Sequence, residues 1–274
     1  MNRFTLWRRG VMAAFLVLFI LQIAKVNIVA GSLTGSVALS YIRLLDPFAY
    51  LESLSASGDF TLHALWSVLP IVALYAVFGR AFCGWVCPMD YLFEVVERLR
   101  QRLLKVKGMV FRLPRLSGYI LALLFLIITA LIGAPVFTNY LSHLTNLYRA
   151  ITAGYFYLLD LPLDLDIFVY STGAIIILLV LELIAPRLWC KSLCPVGRTY
   201  GLFNKFSLLR LSALSGTCQQ CDLCNKACYM GVNISGSTHG PSIRDTDCIM
   251  CGRCIESCRE KGKTLKLTFK KETQ

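Results

Sequence analysis

Apolar residues in this chain are bunched rather than spread. Four stretches of about twenty residues are nearly free of charge: 11–30 (VMAAFLVLFILQIAKVNIVA), 61–79, 117–136 (SGYILALLFLIITALIGAPV) and 167–186. A helix needs ~20 such residues to cross the hydrocarbon of a bilayer. The pattern therefore predicts a mainly α membrane protein, built as a four-helix transmembrane bundle over residues 1–203. From 204 to 274 no such stretch recurs, and the sequence turns polar and cysteine-rich, predicting a separate soluble domain that starts near Asn204.

Composition agrees, because 56% of the residues are hydrophobic where an ordinary soluble domain has about 45–50%. The formal net charge of +12 raises nucleic acid as a partner, but the basic residues are placed otherwise. Segment 80–116 holds Arg80, Arg98, Arg100, Arg102, Lys105, Lys107, Arg112 and Arg115, whereas 31–60 and 137–166 hold only Arg43 and Arg149. This bias predicts that segment 80–116, the N-terminus with Arg3, Arg8 and Arg9, and the C-terminal domain lie in the cytoplasm. The loops 31–60 and 137–166, carrying Asp46, Glu52, Asp59, Asp160, Asp164 and Asp166, then face the other side. Most of the excess charge is expected to serve topology and attraction to anionic headgroups, and no nucleic-acid role is expected. Segment 11–30 is read as a retained span rather than a cleaved signal, since Ile28 stands where a small residue is wanted before Ala30.

All twelve cysteines fall into repeats. Cys218, Cys221, Cys224 and Cys228 are spaced C-x2-C-x2-C-x3-C, and Cys248, Cys251, Cys254 and Cys258 repeat that spacing. In two-cluster ferredoxins the fourth cysteine of such a run ligates the other cluster. The spacing thus predicts one [4Fe–4S] cluster on Cys218, Cys221, Cys224 and Cys258, and a second on Cys248, Cys251, Cys254 and Cys228, within a small α+β domain of the bacterial 2[4Fe–4S] ferredoxin type. A zinc site with four cysteine ligands pairs two C-x2-C units instead, and disulfides fit a reducing cytoplasm poorly. The run departs from the ferredoxin pattern at its ends, because Tyr229 and Arg259 stand where proline is usual.

The remaining four cysteines form a second repeat, RAFCGWVCP around Cys83 and Cys87 and RLWCKSLCP around Cys190 and Cys194. Each follows an expected outside-to-inside span. At this spacing each pair shares one helix face, and the proline turns the second cysteine out of the helix, so each pair is expected where a span gives way to loop. Two pairs on one surface could converge to hold a metal or a further cluster, act as exchangeable dithiols, or merely pack as small apolar residues.

Four spans, two Cys-x3-Cys-Pro phrases and a C-terminal pair of ferredoxin quartets together resemble the NapH family, over nearly the whole chain; the stretch LLDPFAYLESLSASGDF is also similar to the family's. The membrane domain of NosR, MauN and the CcoG/RdxA-type accessory proteins share this core. The resemblance implies a multi-pass protein of the bacterial inner membrane, acting as the iron–sulfur subunit of a quinol dehydrogenase. It would take electrons from ubiquinol or menaquinol toward a periplasmic iron–sulfur partner resembling NapG and a terminal reductase, in this family that for nitrate. The competing reading is an accessory factor whose Cys-Pro thiols bind or reduce a metal such as copper, since soft thiolates select Cu(I).

Within the spans, Gln22, Lys25, His63 and Glu182 could serve quinol or protons, because ionisable groups in a membrane are costly and often functional. Lys25 and Glu182 are near enough to an interface to snorkel. Glu182, nearest Cys190, is the candidate retained with the four Cys-Pro cysteines as a reactive group. His63, His143 in the outer loop and His239 in the linker between the quartets are expected to be interfacial or unremarkable.

Overall fold

The computed structural model describes residues 3–23, 30–31, 36–39, 42–60, 62–103, 113–114, 116–213, 218, 221–237, 243–259 and 265–269. The chain opens with α1 (Arg3–Ile23) and passes through an antiparallel meander, β1 (Ala30–Gly31), β2 (Ser36–Leu39) and β3 (Ile42–Leu45), into α2 (Pro47–Ser57) and α3 (Leu62–Phe78). Short α4 (Ala81–Trp85) leads to amphipathic α5 (Pro88–Leu103) and then to α6 (Leu116–Ile132). A π-helical turn at Phe137–Leu141 precedes α7 (His143–Leu158), which forms a helical hairpin with α8 (Leu165–Ile184). A second π turn, Trp189–Leu193, and α9 (Pro195–Phe203) follow. The remainder holds β4 (Arg210–Ala213), α10 (Leu223–Ala227), a 3-10 turn (Ser235–Ser237), α11 (Arg253–Arg259) and β5 (Leu265–Thr268). Strands β4 and β5 pair antiparallel, from Arg210 opposite Thr268 to Ala213 opposite Leu265.

Each of the four apolar windows carries a helix, but α1 begins eight residues ahead of the first window, which ends with Ala30 in β1, and the helices differ in length. Phe4–Gln22 and Leu165–Ile184 are long and apolar enough to cross a membrane, whereas α3 and α6 are equally apolar and stop at 17 residues. Both stop at a glycine in the left-handed region, Gly79 (φ 60°) and Gly133 (φ 74°), whose N–H groups bond back to the carbonyls of Tyr75 and Thr129. The middle two windows are therefore shorter than expected. Leu62, Leu131 and Ile177 stay 65%, 82% and 69% exposed on these helices, an apolar surface that a water-soluble protein would cover.

The stretches 31–60 and 137–166, read as loops, contain α2 and α7, whose first turns point into the interior. Helix α2 starts at Asp46-Pro47: the Asp46 carboxylate accepts the N–H groups of Phe48 (2.6 Å) and Ala49 (3.4 Å), and Pro47 is set for a first helical position. The same carboxylate accepts the Tyr200 hydroxyl of α9. Tyr200 lies 4.0 Å from Tyr75 of α3 by ring centroids, so the start of α2 is beside the end of α3. Helix α7 starts at Ser142, whose hydroxyl accepts the Thr145 N–H, and places His143 beside Trp189, just past the end of α8.

A buried carboxylate holds these inward turns. Glu52 of α2, fully buried, accepts the N–H groups of Phe137 (2.7 Å) and Thr138 (2.9 Å) and the Thr129 hydroxyl (3.2 Å). Glu52→Gln would turn an amide N–H₂ toward these donors and is expected to cost about 1–3 kcal/mol, read as a lower unfolding midpoint in detergent.

Candidate functional site

The two Cys-x3-Cys-Pro phrases meet. Each begins just past a long apolar helix, and each proline opens a new helix instead of a loop, which corrects the helix-to-loop expectation. Cys83 lies in α4, and Cys87 stands outside it with its N–H on the Phe82 carbonyl, so the pair does not share one continuous helix face. Cys190 lies in the second π turn, and Cys194 caps α9, its sulfur accepting the Gly197 N–H at 3.3 Å. Cys87 stands at the start of α5, where its carbonyl accepts the Asp90 N–H at 3.2 Å. The physical reason is that proline lacks the donor that a first helical turn leaves unused, while the free N–H groups behind it turn to the preceding cysteine.

Cys83 is close enough to Cys87 and Cys194, and Cys190 to Cys87 and Cys194, for each pair to repel as thiolates. Burial pushes all four thiols up, Cys194 to about 12, while the Arg80 guanidinium pulls Cys83 back down. His143 is buried with its Nε2 4.0 Å from the Cys87 sulfur, and its Nδ1 accepts the Trp189 indole N–H at 3.1 Å. Indole only donates, so the neutral ring carries its proton on Nε2, facing the sulfur. The expectation that His143 is interfacial is thereby corrected, because the inward start of α7 buries it.

The eight C-terminal cysteines gather around one apolar core. Cys228, Cys248, Cys251 and Cys254 line a single small cavity, bringing the fourth cysteine of the first run to the first three of the second. Cys224 faces Cys218 and Cys258, while Cys221 is exposed. Burial pushes Cys248 up to about 12 and raises Cys224, Cys228 and Cys254. Sulfurs held close together at such a cost suit cationic iron, which keeps thiolates deprotonated.

The two centres are joined tightly. A Cβ on Gly84, inside the first phrase, would collide with the Ile249 carbonyl oxygen, so only glycine lets α4 lie against the loop between Cys248 and Cys251. The Trp85 indole donates to the Met250 carbonyl (3.0 Å), and the Asn204 amide donates to the carbonyls of Asp245 (2.9 Å) and Cys248 (2.7 Å). Buried Asp247 pairs with Arg198 at 2.7 Å. On another side, Asp90 pairs with Arg8 (3.0 Å) and Arg187, and meets the hydroxyl of Tyr229, the residue after Cys228. The Tyr229 ring lies between the guanidinium groups of Arg187 and Arg253, 4.0 and 4.2 Å from its centroid.

Three basic residues read as topology signals, Arg8, Arg80 and Arg100, are thus internal, as are Arg187 and Arg198, because carboxylates or carbonyl groups inside the protein await most of them. Glu182 is buried and accepts the Arg187 N–H at 2.8 Å, which makes it a support for Arg187. Gln22 ends α1, His63 is exposed at the start of α3, and Lys25 and His239 lie outside the described residues. Arg80, Arg187, Asp90 and Asp247 were not singled out as site residues by sequence reasoning, although a signal existed: arginine stands three residues before the first cysteine in both phrases. Each reaches into the opposite phrase, Arg80 donating to the Cys190 carbonyl and Arg187 to Asp90.

This arrangement defines an iron–sulfur electron-transfer protein of the ferredoxin type. The profile of a 4Fe-4S binding domain matches residues 60–107 and 167–212. The ferredoxin-type protein NapH of Haemophilus influenzae is 30% identical over 271 residues, covering 95% of this chain and 88% of the relative. NapH of Escherichia coli is 26% identical, covering 85% and 78%, and the methylamine utilization ferredoxin-type protein MauN of Methylobacillus flagellatus is 31% identical, covering 83% and 76%. The chain belongs to the NapH family of ferredoxin-type proteins, to which MauN is related. No solved structure matches it.

Proposed function

We propose that this chain is the membrane subunit of a quinol dehydrogenase that passes electrons to a periplasmic reductase, as the NapH resemblance implies for nitrate. In this reading α1, α3, α6 and α8 span the inner membrane, both termini are cytoplasmic, and residues from 204 onward form the ferredoxin domain. Helices α2 and α7 enter the bundle from the periplasmic side, where non-spanning backbone is tolerated because protein surrounds it. Cys218, Cys221, Cys224 and Cys258 hold one [4Fe–4S] cluster and Cys248, Cys251, Cys254 and Cys228 the other. Each supplies a one-electron acceptor when bound, matching the two electrons that a quinol releases with two protons.

The observation that carries this reading is the direct packing of the Cys248–Cys251 loop on the first Cys-Pro phrase through Gly84 and Trp85. That phrase in turn adjoins an apolar cavity of about 720 Å³ between α1, α5 and α7, lined by Pro88, Tyr91, Leu92, Trp7, Arg9 and Leu147. Such a cavity suits an apolar two-electron donor with a polar head. Anaerobic EPR before and after addition of a reduced quinol analogue tests the reading, with reduced-cluster signals expected to appear with quinol. Clusters that dithionite reduces and quinol does not, in the complete complex, would overturn it. The double variant Cys83→Ser, Cys190→Ser is expected to lose quinol-driven reduction of the ferredoxin clusters while keeping dithionite-driven reduction; intact quinol-driven reduction would remove the Cys-Pro thiols from the pathway.

A further inference from the structure

Four thiols from sequence positions more than a hundred residues apart are gathered where the two phrases meet, and their surroundings are those of bound thiolates. Cys87 and Cys194 stand at the N-terminal ends of α5 and α9, and the Cys194 sulfur accepts the Gly197 N–H at 3.3 Å. The His143 Nε2–H faces Cys87 at 4.0 Å, and the fully buried Arg80 guanidinium, which donates to the carbonyls of Thr246 (3.3 Å) and Cys190 and pairs with Asp247 at 3.8 Å, lies near enough to Cys83 to favour its thiolate. Neutral thiols packed as apolar residues would need no donors aimed at sulfur. Hydrogen bonds of this kind are what tunes sulfur ligands in iron–sulfur sites.

The matched profile, that of a 4Fe-4S binding domain, points to iron and sulfide at these thiols. Residues 60–107 and 167–212 contain Cys83, Cys87, Cys190 and Cys194 and none of the eight C-terminal cysteines.

We propose that Cys83, Cys87, Cys190 and Cys194 together hold a third [4Fe–4S] cluster, one pair of ligands coming from each Cys-x3-Cys-Pro phrase. The site stands on its own geometry; only its place in a pathway rests on the function proposed above. There it lies between donor and acceptor. Pro88, next to Cys87, lines the 720 Å³ cavity, and Cys83 packs against both the apolar core around Tyr200 and the one around the C-terminal cysteines. One electron at a time would pass from a reduced third cluster to the cluster beside Ile249, reoxidising the first as it reduces the second.

Iron and acid-labile sulfide, measured on the anaerobically purified full chain and normalised to the EPR spin of the reduced ferredoxin clusters, test the proposal without quinol. Three cubanes predict about 12 irons per chain and two predict about 8. The Cys83→Ser, Cys190→Ser variant is expected to lose about a third of the iron while the two ferredoxin signals stay. A wild-type count of about 8, or zinc or copper bound by the four thiols, overturns the proposal. Should that variant fail to fold, Cys218→Ser with Cys221→Ser provides the reciprocal arm: about 8 irons remain if three sites exist and about 4 if two do. Twelve irons without quinol-driven reduction would leave the site standing and remove the dehydrogenase reading. Eight irons with quinol-driven reduction would do the reverse.

Discussion

Asp90→Ala is expected to destabilise the protein by about 3–5 kcal/mol, the cost of breaking a buried ion pair from one side. Asp90 is 3% exposed and faces two fully buried guanidinium groups, Arg8 of α1 and Arg187 beyond α8, as well as the Tyr229 hydroxyl. Without it, Arg187 keeps, among the described residues, only Glu182 as a carboxylate partner, at 3.6 Å. The loss should fall unevenly, because Tyr229 adjoins Cys228, a proposed cluster ligand. Hydrogen exchange over residues 229–258 should rise more than over α3 or α6, alongside a lower thermal midpoint. Asp90→Asn keeps the shape and an acceptor and should cost less. Replacing Arg187 by Met in the Asp90→Ala background should recover part of the loss, since a buried apolar group is tolerated where an unpaired charge is not. No recovery would mean that Asp90 acts through Arg8 or Tyr229 instead.

Gly84→Ala is expected to separate the two cysteine centres. The added Cβ would meet a backbone carbonyl, which no side-chain rotation can relieve, so α4 or the Cys248–Cys251 loop must shift. Overpacking of this kind costs about 1–3 kcal/mol. On the function proposed above, the larger effect should be electronic: slower reduction of the cluster proposed beside Ile249 by quinol, with dithionite reduction unchanged. Gly154→Ala in α7 is the control, because nothing lies within 4 Å of its Cβ position and helical alanine is favoured over glycine. Equal behaviour of the two variants would show that the close approach of α4 does not matter to electron transfer.

Much of this was legible in the sequence where a simple period or spacing carried it. The four apolar windows became α1, α3, α6 and α8, since long apolar runs leave a helix little alternative. What the sequence hid lies between the windows. Helix α2 carries Ser53 and Ser57, and Asp59 and Asn139 lie beside α2 and α7, so hydropathy reports loop even though Asp46-Pro47 is a readable helix start. The inward turn of α7 rests on a π turn and on Glu52, a contact 85 residues away in the chain, and no local pattern encodes that. Burial of Arg80 and Arg187 was hidden for a related reason: counting charge by segment cannot tell an arginine in water from one facing a carboxylate across the fold. Alignment of the two cysteine phrases by their full length, arginine included, would have exposed both.

The exchange of arginines between the phrases also bears on how the protein is made. Arg80 is held by the Cys190 carbonyl and Arg187 by Asp90, so neither phrase has its anchors until the other has been synthesised. During translation the first phrase leaves the ribosome about a hundred residues ahead of the second and must wait, its thiols without their neighbours. Maturation of the cluster proposed at that centre is therefore expected to be a late event, gated by synthesis of α8 and the second phrase, and a nascent chain truncated before Cys190 should acquire no metal there.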